Sequence, residues 1–331
     1  MPASLPPVPP PGRRRWILVT GMPRSGTTGV GAALSHASGA AKLYEPLNPE
    51  SGLRSVHEYF VFPESAGQHP GSQLDRQLRE VFGVSVRMRR GIWPEDPAWK
   101  KAVKQVTGNT TRVSAVKIRL DPRVDTVIWK DPFASFLVPY LSSYRGISSI
   151  VTVRPPEAAA ASFKRLGWTF DLDRVHAHLS RLTPGAAYLV QEPEWAGWVK
   201  DPPMIGALLW RMVYGYLDTV LPRSDGPPAA GAAPVLWSNS RRLLAEPLET
   251  YTRFFKALDL DLSPRVREAI LRDYRDEGST EPSSKTHDRA RNVTQANSYW
   301  RRVLEPTEEN TVRQITADVR SSIERRVGEL A

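Results

Sequence analysis

The chain has 331 residues, 45 Lys and Arg against 35 Asp and Glu for a net charge of +10, and no cysteine. These values exclude a disulfide scaffold and are compatible with a cytoplasmic location. No apolar run approaches the roughly 18 residues of a membrane-spanning helix, so no stable membrane insertion is expected. The arginines are dispersed and no base-reading motif occurs among them, which points to an anionic small molecule rather than nucleic acid.

Residues 1–15 hold six prolines and three arginines and read as a disordered tail. Arg13-Arg14 stand before an apolar segment of only five residues, too short for an export signal. That segment, Trp16-Ile17-Leu18-Val19-Thr20, is predicted to be the first core strand of a single domain over residues 16–331. It leads into Gly21-Met22-Pro23-Arg24-Ser25-Gly26-Thr27-Thr28 and then a helix-compatible stretch. Strand, glycine loop and helix start make a phosphate cradle, because loop amides and the positive end of the helix dipole both face an anion there. Gly21 and Gly26 have the spacing of a nucleoside-triphosphate P-loop, but that loop needs Lys directly after the second glycine. Here the position is Thr27, and the cation, Arg24, lies inside the loop.

Farther along, the apolar part of Ala40 to Pro49 predicts a short neighbouring strand with Glu45 at its tip. Residues 50–112 are polar and irregular, with helical patches around Gln73 to Phe82 and Pro97 to Val106, and read as an insertion. Thr126 to Phe133 is a strand ending in Lys130-Asp131-Pro132, which puts a lysine at a strand carboxyl end, where doubly wound sheets bind ligands. Ser148 to Val153 is a strand ending in Arg154-Pro155-Pro156, followed by an alanine-rich helix, Glu157 to Leu166, that contains Ser162. Pro202 to Leu221 carries Leu208, Leu209, Met212, Val213, Tyr216 and Val220 at helical spacing, a core stripe. Residues 222–234 are rich in Pro, Gly and Ala and read as a mobile loop. Strand Val235 to Trp237, helices Arg241 to Leu258 and Pro264 to Tyr274, and a polar stretch at 278–297 with Lys285, Arg289 and Arg291 follow. A last helix starts at Pro306, with Glu308 and Glu309 at its positive end, and buries Ile315, Val319, Ile323, Val327 and Leu330.

The octapeptide Gly21 to Thr28 resembles the 5′-phosphosulfate loop of sulfotransferases that use 3′-phosphoadenosine 5′-phosphosulfate (PAPS), in the bacterial and carbohydrate-type branch, which carries Arg in the loop. The resemblance implies an α/β three-layer sandwich related to P-loop NTPases, with a central parallel sheet of about five strands and helices on both faces. It implies that Pro23, Arg24, Ser25, Gly26, Thr27 and Thr28 hold the 5′ end of the donor, and that Arg154 and Ser162, eight residues apart, hold its 3′-phosphate. Position 155 is Pro where the family usually has Asp. Tyr44-Glu45-Pro46-Leu47 is similar to a segment of glycan-modifying members whose Glu is the general base, and Lys130-Asp131-Pro132 to an element common in the family. The implied reaction moves a sulfonate from PAPS, leaving the product PAP, to a hydroxyl of a glycan, glycolipid or glycosylated metabolite. Glu45 takes the proton, which such a transfer must shed, while Arg24 and Lys130 offset charge on the leaving side. Residues 50–112 cap the acceptor site, and the basic stretch before Trp300-Arg301-Arg302-Val303-Leu304 closes the donor site.

Of the six histidines, His57 is the runner-up base and lies toward the acceptor, and His287 falls in a polar stretch; His36, His69, His176 and His178 have no such place. No His, Cys and carboxylate cluster has metal-ligand spacing, so no metal is expected. A P-loop kinase is the competing reading, but it would have Lys at position 27 and a strand ending in Asp for magnesium, where this chain has Arg154. A non-sugar small-molecule or lipid hydroxyl is the competing acceptor.

Overall fold

The computed structural model describes residues 14–63, 72–94, 96–190, 194–223, 232–274 and 298–330. Five strands, β1 (Arg15–Thr20), β2 (Ala40–Tyr44), β3 (Thr126–Lys130), β4 (Ser148–Val153) and β5 (Val235–Asn239), form one sheet in the order β2-β3-β1-β4-β5. β1 pairs in parallel with β3 and β4, and β2 in parallel with β3. The three inner strands are almost continuously buried, the pattern of strands covered on both faces, whereas the edge strands β2 and β5 are half-buried.

Twelve helices surround the sheet: α1 (Thr27–Leu34), α2 (Gln73–Phe82), α3 (Ala98–Thr107), α4 (Thr110–Leu120), α5 (Val138–Arg145), α6 (Pro156–Leu166), α7 (Leu172–Leu182), α8 (Pro202–Val220), α9 (Ser240–Ala245), α10 (Pro247–Ala257), α11 (Pro264–Asp273) and α12 (Pro306–Val327), counted among the described residues. The α/β class and the parallel five-stranded sheet are thus as expected. Register aligns Tyr44 of β2 with Lys130 of β3, Lys130 with Val19 of β1, and Val19 with Ile150 of β4. The segments after β1, β2, β3 and β4 therefore all leave the sheet at one end, and β1, whose neighbours are reached by opposite turns of the chain, lies at the switch point of a doubly wound sheet.

The packing divides into two compact units, one of Met1–Gly21, Thr27–Val151 and Pro227–Leu236, the other of Met22–Gly26, Thr152–Gly226 and Trp237–Ala331. The chain passes from one to the other at both ends of the glycine loop, inside β4, between residues 226 and 227, and inside β5. In the first unit, Phe60, Phe62, Phe133 and Phe136 form an aromatic cluster, with Phe62 and Phe136 stacked at 4.7 Å, that ties the stretch after β2 to a 3-10 helix over Pro132–Leu137.

In the second unit α8 is the hub, packed against α6, α7 and α12. A one-sided stripe was the expectation, but fifteen of its nineteen residues are buried, and it is apolar nearly all round, as a central helix must be. A Cβ at Gly206 would lie 3.0 Å from the Ala160 Cα, so glycine on α8 and the alanines of α6 allow a close backbone approach. Glu157 on α6 is buried and accepts from Arg313 (3.2 Å) and Arg320 (2.8 Å) of α12.

Two expected boundaries shift. Arg15 opens β1 and Arg14 donates to the Val124 and Ile118 carbonyls (3.1 and 3.0 Å), so these two residues of the expected 1–15 tail belong to the fold. At the end of the expected 222–234 loop, Ala233 N donates to Ser142 O of α5 (3.0 Å) and Pro234 O accepts from Ser149 N of β4 (3.0 Å), which ties these two residues to the fold. Residues 1–13, 224–231 and 275–297, and with them Lys285, Arg289, Arg291 and His287, lie outside the described residues, as does His69.

Candidate active site

The glycine loop takes its shape from two left-handed residues. Gly26 has φ +100°, where a side chain is strained, and Arg24 has φ +73°, uncommon for a non-glycine residue. Ser25 locks the turn from inside. It is buried, its amide and hydroxyl both donate to the Met22 carbonyl (3.2 and 2.7 Å), and its Oγ lies 2.7 Å from Thr152 Oγ1. The side chain of Ser25 is therefore spent on the fold. Pro23 is buried, Gly26 is exposed, and Thr27 and Thr28 open α1.

Three positions drawn from distant motifs meet within the second unit. Arg24 Nε donates to Ser162 Oγ (3.1 Å), 138 residues on, and Arg154 Nη1 donates to the Arg24 carbonyl (3.3 Å), 130 residues on. Arg154 follows β4 directly and Ser162 sits one and a half turns into α6. The Arg154 carbonyl is fixed by Trp210 Nε1 (2.9 Å) and the Thr152 carbonyl by the Tyr214 hydroxyl (2.6 Å), both from α8. Burial pushes the Tyr214 phenol upward, so it stays a neutral donor. Trp168 lies 6.0 Å from the Arg24 guanidinium and Tyr299 5.7 Å from that of Arg154, ring faces that steady cations. Two guanidiniums and a hydroxyl are a donor set compatible with phosphate oxygens.

A second constellation belongs to the first unit. Glu45, which follows β2, has φ +43°, a conformation costing about 1–3 kcal/mol and typical of functional positions. Its amide donates to the Lys130 carbonyl (2.8 Å), its Oε1 pairs with Lys130 Nζ, and its Oε2 accepts from Asn48 Nδ2 (2.9 Å). Lys130 is fully buried and Glu45 only 8% exposed. Burial pulls the Lys130 ammonium down, but the Glu45 carboxylate, with Tyr44 and Asp131, offsets more than that and holds it above its ordinary value. The Lys130 ammonium also lies 4.5 Å from the centre of the Tyr44 ring, and the Tyr44 hydroxyl bonds Thr28. Gly31 of α1 passes close to Lys130; a Cβ there would be 3.2 Å from the Lys130 Cβ and Cγ.

Asp131 is the residue that sequence reasoning quoted without giving it a task. It is fully buried, caps the 3-10 helix through Phe133 N (3.0 Å), and accepts from Leu47 N (2.7 Å) and Trp129 Nε1 (3.3 Å). Through Leu47 it pins the backbone two residues beyond Glu45. Burial and the nearby Glu45 charge push its carboxyl up to about 7 against the pull of those three donors. An Asp directly before Pro at a helix start was the available signal. Trp168 and Tyr299 carried none, because nothing local marks an aromatic as a platform.

Three of the described histidines have side-chain partners of their own. His57 faces Arg89 Nη2 (3.3 Å), His176 the Val190 carbonyl (3.1 Å) and His178 Arg181 Nη2 (3.2 Å). Among the described residues no group of three His, Cys, Asp or Glu could hold a metal ion, and no helix is long and apolar enough to cross a membrane.

No family model and no curated protein matches the chain. Solved structures similar to it include the sulfotransferase domain from the curacin biosynthetic pathway (13% identity, TM-score 0.41, covering 92% of this chain and 97% of that one). The sulfotransferase domain of the Synechococcus PCC 7002 olefin synthase is similar at 15% identity and TM-score 0.37 (96% and 97%), and sulfotransferase STF9 from Mycobacterium avium at 14% and 0.37 (93% and 76%). At such values the likeness assigns no role to any residue of this chain.

Proposed function

We propose that the chain is a sulfotransferase that moves the sulfonate of PAPS to an acceptor hydroxyl. The observation that carries this reading is the convergence of Arg24, Arg154 and Ser162, three residues from motifs more than a hundred positions apart, into one hydrogen-bonded group. PAPS supplies the activated sulfonate. The loop from Pro23 to Thr28 takes the 5′ end with its amides and the start of α1. Arg154 and Ser162 take the 3′-phosphate; Ser162 accepts from Arg24 and keeps its own O–H to donate. Ser25 acts on the loop's shape. Arg24, bonded to Ser162, contributes to donor binding as well as to offsetting charge on the leaving side.

Glu45 receives the acceptor's proton as the new O–S bond forms and the phosphate oxygen departs. Lys130, paired with Glu45, adds positive charge where negative charge develops. The acceptor we favour is a sugar hydroxyl in a glycan, glycolipid or glycosylated metabolite. In support is the similarity of Tyr44-Glu45-Pro46-Leu47 to the general-base segment of glycan-modifying sulfotransferases.

Isothermal titration tests the reading. PAP should bind and ATP should not, and Arg154→Ala should weaken PAP by about one to two orders of magnitude, the worth of a charge-assisted hydrogen bond. Adenosine 5′-phosphosulfate, which has no 3′-phosphate, should bind poorly and respond little to the substitution. Equal losses for both nucleotides would remove Arg154 from the 3′-phosphate, and tight ATP binding would favour a kinase.

A further inference from the structure

Helix α3 is built the wrong way round for a soluble protein. Trp99, Val103 and Val106, at positions i, i+4 and i+7, share one face, yet their exposures are 70%, 51% and 79%, among the highest of any large apolar side chain described. No residue of α3 is buried. The helix is instead tethered by its polar side. Lys104 Nζ reaches the Gly91 carbonyl (2.6 Å) and Asp96, Lys101 Nζ the Pro94 carbonyl (2.6 Å), and Lys100 Nζ Asp96 Oδ1 (2.6 Å). Lysines thus hold α3 to the loop before it while the apolar stripe, which a globular helix normally turns to the core, faces out.

The stretch of chain that carries this stripe is also strongly basic. From Arg87 to Arg123 the chain has ten Lys and Arg and three Asp and Glu, a net +7 of the molecule's +10 in 37 residues. Arg87, Arg90, Lys100, Lys117, Arg119 and Arg123 in this stretch are exposed. So much positive charge opposes pairing with a second copy of the same face. Trp favours the headgroup level of a bilayer, an amphipathic helix lies in that plane, and clustered Lys and Arg are drawn to anionic lipid.

We propose that the exposed face of α3, Trp99 with Val103 and Val106, carried on a strongly basic stretch of the chain, docks the protein on anionic phospholipid membranes. The contact is peripheral and does not depend on the reading of the active site.

Co-sedimentation of the full chain with vesicles is the test. Binding to phosphatidylcholine vesicles containing about 30% phosphatidylserine should exceed binding to pure phosphatidylcholine by about tenfold and should fall steeply as salt shortens the screening length. Trp99→Ser with Val106→Ser should lower it about tenfold, and Lys117→Glu with Arg119→Glu should abolish the preference for phosphatidylserine. All four positions are exposed, so circular dichroism and PAP affinity should not change. Absence of binding at low salt, or binding undiminished in the Trp99→Ser, Val106→Ser variant, overturns the proposal. So does a wild-type dimer by light scattering that the same variant converts to monomer, since a second copy would then cover the face.

Discussion

Glu45 and Lys130 are each too buried to carry a charge alone, and the pair is tolerable only because each neutralises the other. Replacing Glu45 with Gln keeps the shape and removes the proton acceptor. Turnover should fall by roughly 10²–10⁴-fold, the usual worth of a positioned base, with PAP affinity nearly unchanged; near-normal turnover would transfer the role to another group. Lys130→Met should cost about 3–5 kcal/mol in urea unfolding, because it strands a buried carboxylate, and adding Glu45→Leu should recover much of that loss. Asp131 gives a pH signature. Its carboxyl is raised to about 7 in the folded chain from an ordinary value near 3.8, so the folded state binds the extra proton between those values. Stability from this group is complete below about pH 4 and is lost as pH rises through about 7. Asp131→Asn should therefore flatten the fall in melting temperature between pH 4 and pH 7, while a wild-type profile that rises over that window would contradict the assignment.

The elements explain why these side chains are where they are. α6 presents Ser162 and shares its alanine face with Gly206 of α8, and α8 in turn fixes the Arg154 and Thr152 carbonyls through Trp210 and Tyr214. Arg154 and Ser162 are thus held by helix packing as well as by the glycine loop. Gly206→Val would bring a side chain within 3.0 Å of the Ala160 Cα and force α6 and α8 apart. The expected cost is about 1–3 kcal/mol, the usual penalty of overpacking, together with weaker PAP binding. Lost stability with full PAP affinity would show that Ser162 is positioned independently of the α6–α8 contact. Sequence periodicity placed most of these elements to within a residue or two, including α2, α6, α8 and α12. It missed the break between α9 and α10, where Pro247 starts a new helix after Glu246, because a proline interrupts a helical pattern without altering its apolar spacing.

At the scale of the molecule, positive charge has three separate uses. Arg24 and Arg154 serve the glycine loop, Arg313 and Arg320 satisfy the buried Glu157 where α12 meets α6, and the excess between Arg87 and Arg123 remains on the surface. In the proposed reaction the electrostatic work falls to guanidiniums, an ammonium and helix-end amides, with no bridging cation. The sulfonate-transfer reaction should accordingly run at full rate in EDTA. Activity lost on chelation and restored by Mg²⁺ would instead return the chain to the phosphoryl-transfer enzymes.

The sequence by itself determined the strand, loop and helix order of the sheet and the positions of Arg24, Glu45, Lys130, Arg154 and Ser162 at strand ends or just inside helices, since apolar periodicity, glycine spacing and residue chemistry are local. Tertiary structure decided what each polar group is used for. Ser25, adjacent to Arg24 in the loop, turns inward to Met22 and Thr152, whereas Arg24 turns to a serine 138 residues away. Asp131, one residue past Lys130, became the anchor of the Glu45 segment. The stripe on α3 has the spacing of a buried face and lies in water. Such choices depend on which donors, acceptors and surfaces the packed chain brings within about 3 Å, a property of the fold rather than of any segment of it.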